Sequence, residues 1–252
     1  MIIDAPKKSE IPALRALWTE AFGDGDEFLD VFFGSVFSAS RSRRVLTDGE
    51  LSAALYWFDC SFDGERIAYI YAVATSEKHR GRGLCRALMN DTHEHLKSLG
   101  YGGAILVPGS QGLFEFYGKL GYKTSAYISE LRCSASDTEA KLRNIGADEY
   151  AKLRRALLPE HGVLQENENL VFLEKQANFY AGDGALLAAR IEKGTLFGLE
   201  LLGNTDAAAD IVRALGCENG VFRIKGDEKP FAMYFDLEKK DRAPSYFAFA
   251  FD

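Results

Sequence analysis

Between Tyr71 and Met89 the sequence changes character twice. Tyr71-Ala72-Val73-Ala74-Thr75 is a strand-forming run, Ser76 to Gly83 is polar and basic, and Leu84-Cys85-Arg86-Ala87-Leu88-Met89 opens a helix. A strand delivered into a helix through so short a loop restricts the chain to folds in which helices pack back onto a sheet. The start of a helix leaves about four backbone N–H groups without partners, and its dipole favours negative charge there. Gly81 and Gly83 carry no side chain, so ligand oxygens can approach the main chain, and Arg80 and Arg82 add positive charge. The arrangement suits a pyrophosphate. Taken alone, two glycines so spaced fit a ligand-free turn as well.

The flanking segments place this stretch in a mixed α/β domain. Amphipathic helices are expected over Glu10–Phe22, capped by Ser9, and over Glu27–Phe37. Strands follow at Arg44–Thr47, Leu51–Cys60 and Arg66–Ala74, joined by the hairpin dipeptides Asp48-Gly49 and Asp63-Gly64. A helix over Gly83–Leu99, a strand at Ala104–Val107, a helix over Gln111–Leu120 and a strand at Tyr122–Cys133 complete the first domain, 1–135. The polar run Ser134–Lys141 reads as a linker.

A second domain, 142–252, repeats that order in shortened form. It has a helix at Asp148–Leu158, a strand pair Ala185–Ile191 and Thr195–Leu202 turning at Lys193-Gly194, and a helix at Ala207–Leu215. Strands at Val221–Ile224, Phe231–Leu237 and Tyr246–Phe251 follow. Where the first domain has its glycine loop, the second has Leu202-Gly203-Asn204-Thr205-Asp206-Ala207, with one glycine and no arginine. Asp206 would repel a phosphate, so Thr205 or Asp206 is expected simply to cap a helix. This copy is expected to bind no ligand of that kind, and either to wall the first domain's site or to mediate homo-oligomer formation.

The chain has 252 residues and a formal charge of −7, which argues against a sequence-independent nucleic-acid surface. Arg41, Arg43 and Arg44 read as a solvated loop. No apolar run approaches the ~20 residues of a membrane span, and a cytoplasmic protein is expected. Cys60, Cys85, Cys133 and Cys217 show no metal or redox spacing and are expected to be reduced, with no metal site.

Lys78-His79-Arg80-Gly81-Arg82-Gly83 resembles the acyl-CoA-binding motif of the GCN5-related N-acetyltransferase (GNAT) superfamily, Gln/Arg-x-x-Gly-x-Gly/Ala between a strand and a helix. Lys78 departs from it, and Cys85 stands where many members carry glycine or alanine. Phe116-Tyr117-Gly118-Lys119-Leu120-Gly121-Tyr122 is similar to the family's closing signature, Phe-Tyr-x-x-x-Gly-Phe/Tyr. The resemblance implies an acyl-CoA N-acyltransferase fold that moves the acetyl group of acetyl-CoA directly to an amine of a small molecule or peptide. It implies that backbone groups of Val73, Ala74 and Thr75 pair with the pantetheine arm. The amides from Gly81 through Leu84 to Cys85 would take the pyrophosphate, and Tyr117 would protonate the departing thiolate.

No general base is legible. Ile67–Ala74 holds no carboxylate, Tyr69 and Tyr71 occupying that strand, and Tyr101 lies beyond the helix. His79, His93 and His95 are expected to be solvated, and His161 has no visible partner. The stretch Val73–Leu84 also looks like the enhanced-intracellular-survival type, which carries two tandem acetyltransferase-like domains and a third. In that type the terminal carboxylate acts as base, which would here be that of Asp252. The rival expectation is a non-catalytic CoA-binding regulatory or scaffold protein. A P-loop nucleotide site lacks its Lys-Ser/Thr pair here.

Overall fold

The computed structural model describes residues 1–251. They form two compact units, and the division is not a single cut. One unit is Met1–Lys123 with Met233–Arg242, and the other is Thr124–Ala232 with the residues from Ala243 on. A sequence boundary at 135–142 therefore falls inside the second unit.

The first unit contains β1 (Ile2–Asp4), α1 (Ile11–Phe22), α2 (Asp26–Ser35), β2 (Ser42–Thr47), β3 (Glu50–Phe62), β4 (Glu65–Thr75), α3 (Leu84–Ser98), β5 (Gly103–Leu106) and α4 (Gln111–Gly118). The second is built from β6 (Lys123–Ser134), β7 (Arg143–Ile145), α5 (Ala147–Leu157), β8 (Leu164–Gln165), α6 (Glu168–Leu173), β9 (Asn178–Gly182), β10 (Ala185–Glu192), β11 (Thr195–Gly203), α7 (Ala208–Ala214) and β12 (Asn219–Lys225). β13 (Lys229–Asp236) comes last.

In the first unit β1 to β4 pair antiparallel in sequence order, and β5 lies parallel to β4. Met233–Asp236 of β13 then pairs antiparallel with Gly103–Leu106. The second unit repeats the scheme: β7, β9, β10 and β11 pair antiparallel, β12 lies parallel to β11, and β6 pairs antiparallel with β12. The last strand of each sheet is thus out of chain order. β6 follows the helices of the first unit yet closes the second sheet; β13 follows β12 yet closes the first.

Local chemistry accounts for the hairpins. Asp48-Gly49, Asp63-Gly64 and Lys193-Gly194 each place two successive residues at positive φ, the type I′ geometry that matches strand twist. Asp183-Gly184 does the same between β9 and β10, a hairpin not read from the sequence. The α3 face of the first sheet buries Leu84, Leu88, Met89 and Leu96 against Leu55, Trp57, Ala68, Ile70 and Ala104. On α1, Trp18 has Phe32 at 4.6 Å and Tyr56 at 5.2 Å between ring centroids.

Several sequence expectations are corrected. Ser9 lies in a short turn, Lys8–Glu10, and α1 has no side-chain cap. Thr205 and Asp206 likewise sit in a turn, with no cap on α7. The arginines are not a solvated loop. Arg44 is buried on β2, its Nε 3.1 Å from Glu10 and its guanidinium on Asp4, while Arg43 Nε donates to Asp91 at 2.8 Å. Opposite charges close by make burial tolerable. Tyr246–Phe251 is not a ladder strand; it is an irregular buried segment with one bridge, Gly162 to Tyr246. β1, β7, β8, α6 and β9 were not anticipated, being short or weakly periodic. No helix among the described residues is long and apolar enough to cross a membrane.

Candidate functional site

The site begins with a defect in a strand. On β4, Tyr71 pairs with Tyr56 and Ala74 with Ala54, so Ala72 and Val73 together face Leu55. Ala72 carries φ +47°, unusual for a residue with a Cβ, and this bulge bends the strand. Of β4, only Ile67, Ala68 and Tyr69 pair with β5. From Ile70 to Thr75, β4 keeps β3 on one side and, among the described residues, has no strand partner on the other. Backbone donors and acceptors of Val73, Ala74 and Thr75 therefore border a gap, and an extended ligand can pair with them.

At the end of β4, a turn over Glu77–His79 is fixed by His79 N–H donating to Ser76 O at 2.9 Å. Gly81 and Gly83 both have φ +76°, and a Cβ on either would meet nothing within 4 Å. The space above them is open. Gly83 caps α3 in the left-handed region, and no side chain caps that end. The first amides of α3 remain available, as an anion requires. Arg80 donates to Thr75 O at 3.2 Å and pairs with Glu77 at 3.3 Å, bracing the loop.

A cleft of about 250 Å³ opens here, lined by Thr75, His79, Arg80, Gly81, Gly83, Leu84, Cys85, Arg86 and Phe116. Six of these had been expected: Thr75, Arg80, Gly81, Gly83, Leu84 and Cys85. Val73, Ala74 and Arg82 lie outside the wall, the first two along the gap in β4. His79, Arg86 and Phe116 are additions. His79 is buried rather than solvated, with 8% of its surface exposed. Phe116 could have been found, since it precedes Tyr117 on α4.

Tyr117 does not line the cleft. It is buried behind Cys85, and its ring lies 5.8 Å from that of Tyr122. Burial and the neighbouring Cys85 thiol push its pKa well above that of an ordinary phenol, so it stays protonated at neutral pH. Burial alone pushes the Cys85 thiol up to about 11. It is therefore a thiol, not a nucleophilic thiolate, at pH 7.

The other histidines and tyrosines have structural work. His93 Nε2 lies 2.8 Å from the Tyr122 hydroxyl, its ring stacks on Phe235 at 4.1 Å, and burial lowers its pKa to about 4. It is not solvated, because the α3 face carrying it is covered. His95 is half-buried against Trp57. Tyr101 is buried, accepts from Trp57 Nε1 at 3.1 Å and donates to Asp59. His161 Nε2 has Glu160 at 3.7 Å. Among the described residues the four cysteines form no disulfide, and no group of three or more potential metal ligands occurs. Asp252, which the enhanced-intracellular-survival resemblance offered as base, lies outside the described residues.

Residues 3–125 match the family described as "Acetyltransferase (GNAT) domain". No curated protein matches the sequence. Among solved structures, a GCN5-related N-acetyltransferase from Kribbella flavida superposes with a TM-score of 0.70 at 16% identity, over 92% of this chain and 70% of that one. Eis1 from Mycobacterium abscessus gives 0.73 at 12% identity, over 94% and 74%. A GCN5-related N-acetyltransferase from Anabaena variabilis gives 0.73 at 12%, over 94% and 73%. At these identities the likeness is one of fold, and it runs through both units.

Proposed function

From the premise that residues 3–125 are a GNAT acetyltransferase domain, we propose that the chain moves the acetyl group of acetyl-CoA directly to an amine of a small molecule or peptide. The observation that carries this reading is the cleft in front of α3, with its two open left-handed glycines and the unpaired edge of β4 leading into it. Amides from Gly81 to Cys85 hold the pyrophosphate, and Val73, Ala74 and Thr75 pair with the pantetheine arm. Arg80 and Arg82 supply positive charge.

In the transfer, the neutral amine attacks the thioester carbonyl, a C–N bond forms, the C–S bond breaks, and the thiolate takes a proton. The family's closing signature gives the donor's part to Tyr117, which lies behind Cys85 rather than in the cleft wall. Burial keeps its phenol protonated at neutral pH. Once the C–N bond forms the nitrogen carries one proton too many; its loss leaves the neutral amide and supplies the proton that restores the phenol.

The second unit is read as a degenerate copy that takes no second CoA. The repeated strand order supports the kinship, and the filled loop described below supports the loss. Free cysteines fit a cytoplasmic setting. Calorimetric titration of acetyl-CoA should saturate at one site per chain. Tyr117→Phe should leave that affinity within about threefold and slow turnover on an amine panel by at least about tenfold. Wild-type turnover would remove Tyr117 from the mechanism.

A further inference from the structure

His79 is the one buried polar side chain in the wall of the α3 cleft whose ring nitrogens, Nδ1 and Nε2, both lack a hydrogen bond. A polar group held out of water in that way costs about 1–3 kcal/mol, so a retained example calls for a partner that arrives later. Glu50, at the start of β3, approaches without closing the bond: its Oε2 is 3.5 Å from Nε2. That carboxylate is itself paired with Lys78, and the lysine first, then His79, hold its pKa below the usual range. Glu50 therefore stays ionised at neutral pH.

Charged groups reach this loop from three elements: Lys78 and Arg80 on the loop itself, Arg86 on α3, and Glu20 on α1, which accepts from Glu77 N–H at 2.5 Å. Arg80 is occupied by Thr75 O and Glu77, and Arg86 is exposed at the cleft wall. Cys85 is a neutral thiol and Phe116 is apolar. A neutral imidazole has one N–H; an imidazolium has two. Only the charged form can face Glu50 and an incoming phosphate oxygen with a donor each.

We propose that His79 is a further phosphate-binding residue, whose imidazolium, completed by proton uptake when the ligand enters, bridges Glu50 and a phosphate oxygen of the cofactor. This rests on the reading that the cleft takes the phosphates of CoA. The sign follows from linkage. Binding stabilises the protonated imidazole, so affinity is highest at low pH and falls as pH rises through the range in which histidine titrates. A phosphate monoester works against this, because it gains charge above about pH 6. Dephospho-acetyl-CoA lacks that group and should show the steeper decline.

The test is calorimetric titration of acetyl-CoA and dephospho-acetyl-CoA at pH 6.0 and 8.5, in buffers of different ionisation enthalpy. The expected result is proton uptake near neutral pH and about tenfold weaker dephospho-acetyl-CoA binding at the higher pH, the effect of one unit of pKa shift. His79→Gln should bind at both pH values about as weakly as wild type does at pH 8.5. Binding without proton uptake, or the same decline in His79→Gln, overturns the assignment of His79 while leaving the cofactor reading intact. No binding of either ligand at any pH overturns the cofactor reading itself. Should His79→Gln not fold, Glu50→Gln still decides. Losing the carboxylate should move the midpoint of the decline to lower pH, and an unmoved midpoint overturns the proposal.

Discussion

The two units pass from strand to helix in the same way and treat the space beyond it differently. In both, a bulge disturbs the strand before the helix: Ala72-Val73 faces Leu55 in β4, and Leu199 is the extra residue between Gly198 and Glu200 in β11. In both, the parallel neighbour then parts company, after Tyr69 in one and after Gly198 in the other. Beyond that point the first unit has open glycines and a lined cleft. The second has a filled corner. A Cβ on Gly203 would lie 2.2 Å from Gly184 O, and Asn204 donates through N to Gly184 O at 2.9 Å and through Nδ2 to Asp183 O at 3.2 Å.

On β11, Glu200 is fully buried and takes Arg154 Nε at 2.7 Å and Nη2 at 2.9 Å, Tyr150 Oη at 2.6 Å and Tyr246 Oη at 3.0 Å. Nearby, Gln165 binds the Phe249 backbone through both ends of its amide, at 2.9 and 3.0 Å, and Arg223 donates to Ala248 O at 2.9 Å. The splayed architecture alone does not make a ligand site. What occupies the splay does: protein in one unit, open space in the other.

That contrast can be broken at several points. The largest effect is expected from Glu200→Leu, which strands the buried Arg154 charge. It should cost about 3–5 kcal/mol in denaturant unfolding. A loss below about 1 kcal/mol would mean that the network does not hold the second unit together. Gly83→Val puts a branched side chain into the open cradle at a left-handed φ. Acetyl-CoA affinity should fall at least about a hundredfold, or about 2.7 kcal/mol. Unaltered affinity would detach the glycine loop from cofactor binding.

The buried polar centre of the first unit answers to pH where that of the second is a saturated ion pair. His93 is kept neutral, with a folded-state pKa near 4 against 6.5 unfolded. Its contribution is complete above about pH 6.5 and is lost as pH falls towards 4, by on the order of 2–3 kcal/mol. His93→Phe should flatten that part of the stability–pH curve, and an undiminished slope would place the acid sensitivity elsewhere. The smallest effect belongs to Asp206→Ala with Asn204→Ala. Acetyl-CoA should still bind once per chain within about twofold, and a second site would show that the acid at α7 was what kept phosphate out.

Much of this was legible in local chemistry. The Asp-Gly and Lys-Gly dipeptides mark their hairpins because φ must be positive twice in succession. The passage from strand through two glycines to helix was legible, although such a pair by itself also fits a turn that binds nothing. What escaped was set by distant contacts. His79 in a basic loop reads as solvated, and only its packing beside Glu50 and the cleft wall buries it. Ala72 gives no sign in sequence of its left-handed conformation. Tyr117 and Phe116 are neighbours on α4, and that Phe116 and not Tyr117 lines the cleft depends on how that helix is rotated. Nothing local could tell that β6 and β13 pair where they do.

The placement of β13 has a consequence for how the protein is made. Before Met233–Asp236 leaves the ribosome, the outer edge of Gly103–Leu106 has no strand on it and His93 has no Phe235 beneath it. The whole of Thr124–Ala232 is translated in the meantime. At ~5–20 residues per second that interval is on the order of ten seconds, long compared with hairpin formation. A nascent chain with a bare, apolar sheet edge for so long is a natural client of chaperones. A fragment ending near residue 135 would lack Met233–Asp236, the segment that pairs with Gly103–Leu106 in the full chain.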